Sequence, residues 1–160
     1  MKNIQIFIYL ALLIAFSKSV QTWLPEVKGY GTTSGGYAGK LGKPMTSLRV
    51  SGGTRYRVHL LGGSWLPAVT GNSESDSNNG YAGIDGKTLD GVEIEGTTYR
   101  VHILGGKWLD AVNQYNINDA NYGMAGIYGQ AIDAISIQGR TYASAYVDGG
   151  EMILLFQIKN

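Results

Sequence analysis

The sequence predicts an all-β fold in which three repeats of about 43 residues close around a pseudo-threefold axis. Three observations predict it. The stretch YRVHLLGGSWLPAV at residues 56–69 returns as YRVHILGGKWLDAV at residues 99–112, an offset of 43. Internal repetition at a fixed period constrains the whole architecture. The composition is rich in turn formers and aromatics, with 24 Gly, 11 Tyr and 3 Trp against 3 Pro. Where apolar residues are regular they alternate with period two, the signature of half-buried strands. Closure removes exposed strand edges, so a β-trefoil is the first expectation and a β-prism the second. A linear solenoid fits less well, because stacked repeats want polar caps at their ends.

The elements follow in chain order. Lys2 precedes a nearly all-apolar stretch at residues 4–16, and Ser17 and Ser19 are small residues placed for cleavage. Residues 1–19 therefore have the pattern of a signal peptide, too short for a good membrane span. The expectation is a secreted, extracellular chain with a single domain over residues 20–160. Its repeats cover residues 22–63, 64–106 and 107–150, followed by a tail strand. Each opens on a Trp strand (Trp23, Trp65, Trp108). A polar loop of variable length follows, and such loops lie on the surface. Next come the Ala-Gly pairs Ala38-Gly39, Ala82-Gly83 and Ala125-Gly126, which suggest tight turns. An apolar strand follows (MTSLRV, LDGVEI, AIDAISI), then a strand headed by Tyr56, Tyr99 or Tyr142. A Gly pair closes the unit, so Tyr strand, turn and next Trp strand form a hairpin. The last Tyr strand lacks a following Trp. Either the N-terminal TWLPEV or the tail MILLFQI at residues 152–158 could fill that place.

Charge and cysteine content narrow the function classes. The chain has 13 basic and 12 acidic residues; without Lys2 and Lys18 it is slightly acidic. That argues against nucleic-acid binding and against a polybasic membrane contact. No later segment is apolar enough to span a bilayer. With no cysteine there is no disulfide framework, no thiolate metal site and no cysteine nucleophile. Two histidines 43 residues apart are not a metal-binding pattern, and neither NINDAN nor SESDSNN matches a calcium loop. No serine sits in a nucleophile elbow. The carboxylates form no evident repeated or paired constellation. No cofactor, no metal and no catalytic activity are expected.

Alternation puts Tyr56, Val58 and Leu60 on one face of their strand and Arg57 and His59 on the other. Arg100 and His102 repeat the pattern, whereas Ala143 and Ala145 stand there in the third copy. A fold requirement would hold all three copies alike, so Arg57, His59, Arg100 and His102 are candidate ligand contacts. A Trp in every repeat fits core packing. The loop residues Tyr37, Tyr81, Tyr122, Asn79 and Asn118 have the chemistry to meet sugars: aromatic faces for stacking, amides for hydroxyls.

These residues also carry a family resemblance. Tyr56, Arg57, His59, Gly63, Trp65, Ala82, Gly83, Gly86 and Ile94 form an ordered pattern that recurs as Tyr99, Arg100, His102, Gly106, Trp108, Ala125, Gly126, Gly129 and Ile137. It resembles clostridial hydrophobic repeats with a conserved tryptophan. It is more similar still to the repeats appended to clostridial and phage cell-wall lytic enzymes. The resemblance covers nearly the whole chain after residue 20. It implies non-catalytic modules that attach proteins to cell walls or polysaccharides, here without an accompanying catalytic domain. The expected function is a secreted, lectin-like, multivalent binder of a polysaccharide or peptidoglycan surface, acting as a monomer. The alternative is a secreted protein-binding or toxin-like effector on the same scaffold.

Overall fold

The structure is a computed structural model that describes residues 21–147, apart from residue 117 and residues 120–122. The expected signal peptide and the tail lie outside the described residues, as does Tyr122. Ten strands and no helix are described: β1 (Gln21–Trp23), β2 (Ala38–Gly39), β3 (Met45–Val50), β4 (Tyr56–Leu60), β5 (Ala82–Gly83), β6 (Leu89–Ile94), β7 (Tyr99–Ile103), β8 (Ala125–Gly126), β9 (Ile132–Ile137) and β10 (Tyr142–Val147). They form three antiparallel sheets with strand orders β1-β10-β3-β5, β4-β6-β8 and β2-β9-β7. None of the sheets closes on itself.

Each sheet gathers strands from all three segments of the chain. In every one a Tyr-headed strand pairs with the apolar strand of another segment, in the same register: Tyr56 opposite Ile94, Tyr99 opposite Ile137 and Tyr142 opposite Val50. The register shifts at the same place too, after His59, His102 and Ala145. A β-bulge there gives the partner strand one extra residue, and Asp90, Asp133 and Thr46 fill that place.

The hairpin expectation holds in two sheets. Trp65 bridges back to His59 and Trp108 to His102, across turns in which Gly62 and Gly105 adopt positive φ. In the third sheet Trp23 of β1 takes the equivalent place opposite Ala145 of β10. Val27 then faces Tyr142, as Val69 faces Tyr56 and Val112 faces Tyr99. TWLPEV therefore completes the last hairpin, and the two ends of the described chain meet in one sheet.

The core is built on the inward set predicted by alternation. Tyr56, Val58, Tyr99, Val101 and Tyr142 are buried with Leu48, Val50, Val92, Ile94, Ile135 and Ile137. A buried phenol needs a partner for its hydroxyl. All three donate to backbone carbonyls at the base of a polar loop: Tyr56 to Gly71 at 2.7 Å, Tyr99 to Gln114 at 2.9 Å and Tyr142 to Gly29 at 2.6 Å. Each hydroxyl also reaches a carbonyl at the far end of the same loop, Gly80 and Gly123 at 3.4 Å and Gly36 at 2.9 Å, so loops that vary in sequence are gathered onto the core at both ends.

The Ala-Gly pairs are not turns. They are two-residue strands laid close against the central strand of each sheet. A Cβ on Gly39, Gly83 or Gly126 would sit 2.3, 2.3 or 2.2 Å from the carbonyl oxygen of Asp133, Thr46 or Asp90. Their φ values of +113°, +140° and +133° exclude most side chains independently. Glycine is required by close approach as well as by conformation.

Candidate functional site

Each sheet has a second, outward face, and it is here that the candidate residues meet. On β4-β6-β8, Arg57 stands directly opposite Glu93, and its Nε donates to Glu93 Oε2 at 2.5 Å. Glu93 is fully buried. Burial pushes its carboxyl above the ordinary value of 4.5, while Arg57 pulls the other way. The Arg57 guanidinium also lies 5.1 Å from the Trp65 ring centre and 5.2 Å from that of Tyr115. His59 approaches Asp90 Oδ1 through Nδ1 at 2.6 Å, and Asp90 Oδ2 accepts the Gly129 N–H at 2.8 Å. The adjoining Tyr128 is 54% exposed; its ring packs edge-on to His59 and its hydroxyl accepts the Trp65 Nε1–H at 3.0 Å.

The face of β2-β9-β7 repeats much of this. His102 meets Asp133 Oδ1 at 2.7 Å, and Asp133 Oδ2 accepts the Gly42 N–H at 2.7 Å. Arg100 lies 5.7 Å from the centre of Trp108 and 5.0 Å from that of Tyr30. Tyr37 packs on Trp108 with ring centres 5.4 Å apart. Opposite Arg100, however, stands Ser136 rather than a glutamate. Its hydroxyl is committed to loop backbone, donating to Gly36 O at 2.8 Å and accepting from Gly31 N at 3.0 Å. Next to Tyr37 and Lys40 an open cleft of about 270 Å³ is lined also by Leu24, Pro25 and Ser34.

The face of β1-β10-β3-β5 differs most. Here Arg49 of β3, the register partner of Ala143, lies 4.6 Å from the Trp23 ring centre. Two exposed carboxylates, Glu26 and Glu74, approach it at 3.9 and 4.0 Å. Tyr81 packs edge-on to Trp23 at 5.4 Å.

The candidate residues therefore fall on three faces: Arg57 and His59 on one, Arg100, His102 and Tyr37 on another, and Tyr81 on the third. The two loop asparagines stand apart. Asn79 is exposed, and its Oδ1 accepts the Thr70 N–H at 2.9 Å, which closes its own loop. Asn118 is exposed, and its N–H binds Asn116 Oδ1 at 3.0 Å.

Three expectations need correction. The tryptophans are not core residues: all three are half-buried, each with a guanidinium near its ring. Arg57 and His59 do not simply project outward, since each is held by a buried carboxylate. The carboxylates do form a repeated constellation: Asp90 and Asp133 hold equivalent bulge positions and each braces a histidine against a turn amide. Their 43-residue spacing matches that of His59 and His102 and was the available signal. Arg49, Glu93, Tyr30 and Tyr128 were also missed, and only sheet pairing reveals the first two. Among the described residues no group of three or more potential metal ligands occurs, and no helix is long and apolar enough to cross a membrane. No family model, curated protein or solved structure matches this chain.

Proposed function

We propose that this is a secreted, non-catalytic, lectin-like protein that binds a polysaccharide or peptidoglycan surface through several sites on one chain. The observation that carries the reading is the platform shared by the three sheet faces: a half-buried Trp, a guanidinium near its ring, and a second aromatic ring alongside on at least two of them. A pyranose offers an apolar face of C–H groups for such a ring and hydroxyls for the cation. Aromatic side chains supply that contact at little entropic cost, which favours them at binding surfaces. Single sites of this kind are weak. Several on one rigid chain gain avidity on a repeating polymer without oligomerisation.

The finer architecture belongs to the same proposal. Three separate open sheets in matching register favour a pseudo-threefold prism over a trefoil. The resemblance to wall-attachment repeats fits this reading. The histidines fit it as well, because a His–Asp pair tied to a backbone amide is a brace for the platform.

The test is retention of the purified mature protein on insoluble peptidoglycan, chitin and cellulose, with soluble sugars as competitors. Retention that a sugar reverses, and that Tyr128→Ala weakens while the fold persists, supports the proposal. Absence of retention on all three polymers, together with capture of a defined protein partner, would replace it with the effector reading.

A further inference from the structure

The three arginines near tryptophan have different electrostatic surroundings. Arg57 is neutralised by buried Glu93 at 2.5 Å, and Arg49 faces Glu26 and Glu74. Among the described residues Arg100 makes no ion pair. Its register partner is Ser136, whose hydroxyl is already used by Gly31 and Gly36. Among the described residues the Arg100 Nε, like that of Arg49, is buried without a hydrogen-bond partner, but Arg49 has carboxylates at 3.9 and 4.0 Å and Arg100 has none. The nearby acid, Asp133, is held by His102 and Gly42.

The flanking chain strengthens the contrast. Tyr30 and Tyr37, the aromatics of this face, lie in a segment that reads VKGYGTTSGGYAGKLGKP over residues 27–44. It has three lysines and no acid. The corresponding residues 69–88 carry Glu74, Asp76 and Asp85 against Lys87, and residues 112–131 carry Asp119 and no base. Lys28 and Lys40 are exposed, and Lys40 lines the cleft beside Tyr37. A guanidinium with a buried, unpaired N–H is disfavoured unless an anion completes it, because an unmade hydrogen bond from a buried charged group is costly.

We propose that the Arg100–Trp108–Tyr30–Tyr37 face is a subsite for an acidic saccharide, with the sugar's anionic group taking the place at Arg100 that Glu93 takes at Arg57. This rests on the glycan-binding reading and names the ligand class of one of its sites. The chemistry requires a carboxylate or sulfate borne on a pyranose: the anion for Arg100, the ring for Trp108 and Tyr37.

The experiment is calorimetric titration of the mature protein with three oligosaccharides of equal length: a uronate oligomer, its methyl ester, and a sulfated neutral oligomer. An anion on a positioned guanidinium forms strong charge-assisted hydrogen bonds. The expected result is roughly tenfold or greater preference for an anionic form over the ester, shrinking as salt rises. Arg100→Gln should erase that preference, so that acid and ester bind alike, while its circular-dichroism spectrum and Tm match those of the unsubstituted protein and show that the variant is folded. Ser136→Glu, which places a carboxylate opposite Arg100, should act in the same direction. Binding of only the uronate or only the sulfated oligomer identifies the anion and supports the proposal. Equal binding of acid and ester overturns it and leaves glycan binding standing. An acid preference that survives Arg100→Gln also overturns it, because the anion then sits elsewhere. If none of the three binds, and the insoluble polymers do not retain the protein either, both proposals fall together.

Discussion

Gly126→Ala should be among the most damaging small substitutions in the chain, and its cost can be built from the structure. Gly126 has φ +133°, a region that a residue with a Cβ rarely adopts. Strain of that kind costs about 1–3 kcal/mol. An added Cβ would also lie 2.2 Å from Asp90 O and 2.9 Å from Gly91 Cα, both of them backbone atoms in the central strand β6. Relief requires β8 to move off β6 by about an ångström, and overpacking of this sort adds about 1–3 kcal/mol. The total is about 2–6 kcal/mol. For a domain of this size each kcal/mol lowers Tm by roughly 3–5 °C, so a fall of roughly 6–30 °C is expected. The control is Gly129→Ala three residues on. Gly129 also has positive φ, +85°, but an added methyl there would have nothing within 4 Å. It should lose only the conformational part. Thermal unfolding followed by circular dichroism compares the two. If they unfold within about 1 °C of each other, close approach is not why glycine follows alanine in β2, β5 and β8.

Two further predictions concern pH. Glu93 has its carboxyl raised above 4.5 by burial, so the folded state holds its proton more tightly than the unfolded state does. Its contribution to stability is then fully present below the unfolded value and is lost as pH rises through the folded one. Wild type measured against Glu93→Gln by urea unfolding should show its most favourable difference at acid pH, declining above about 4.5; a difference that grows with pH contradicts the assignment. Tyr56 is raised to about 12 by burial, and Tyr99 and Tyr142 are raised by the same cause. Their stabilisation is present below the unfolded value of about 10 and disappears as pH climbs through the folded values. In a spectrophotometric titration Tyr56, Tyr99 and Tyr142 should ionise only as the circular-dichroism signal collapses. A single ionisation step with the fold intact refutes the placement of those hydroxyls.

Much of the fold was legible because its strands alternate. In YRVHL every second residue is apolar, and the structure buries Tyr56 and Val58 while leaving Arg57 and His59 half-exposed. The Trp hairpin followed from the Gly pair between two such runs. The role of Ala-Gly was not legible. A glycine required by a neighbouring strand looks, in one dimension, like a glycine required by a turn. The braces were hidden for a related reason. Asp90 and His59 are 31 residues apart, and they meet only because β4 of one segment pairs with β6 of the next at a bulge. Pattern reading also missed that alternation fails on the central strands, where all six residues of β6 and of β9 are buried. The outward polar groups of these strands are held by partners: Asp90 and Asp133 by His59 and His102, Glu93 by Arg57, and Ser136 by loop backbone.

Arg49 shows how far repeat arithmetic carries an inference about binding. Ala143 replaces arginine in the third Tyr strand, which by alignment alone is the loss of a cation. The ladder shows a transposition. Ala143 faces Arg49, so the guanidinium has moved to the opposite strand of the same pair and still reaches a tryptophan, Trp23. Directly opposed residues in an antiparallel pair share a face and lie about 5 Å apart, within the reach of a long side chain. A cation near an aromatic face is favourable by about 0.5–2 kcal/mol whichever strand supplies it. What differs among the faces is how the charge is balanced. Glu93 balances it from within, and Glu26 and Glu74 from exposed positions. At Arg100 the balancing place holds Ser136. The three sheet faces thus present three electrostatic environments. On the proposed reading, a polymer that carries both neutral and acidic sugars would engage the three faces unequally.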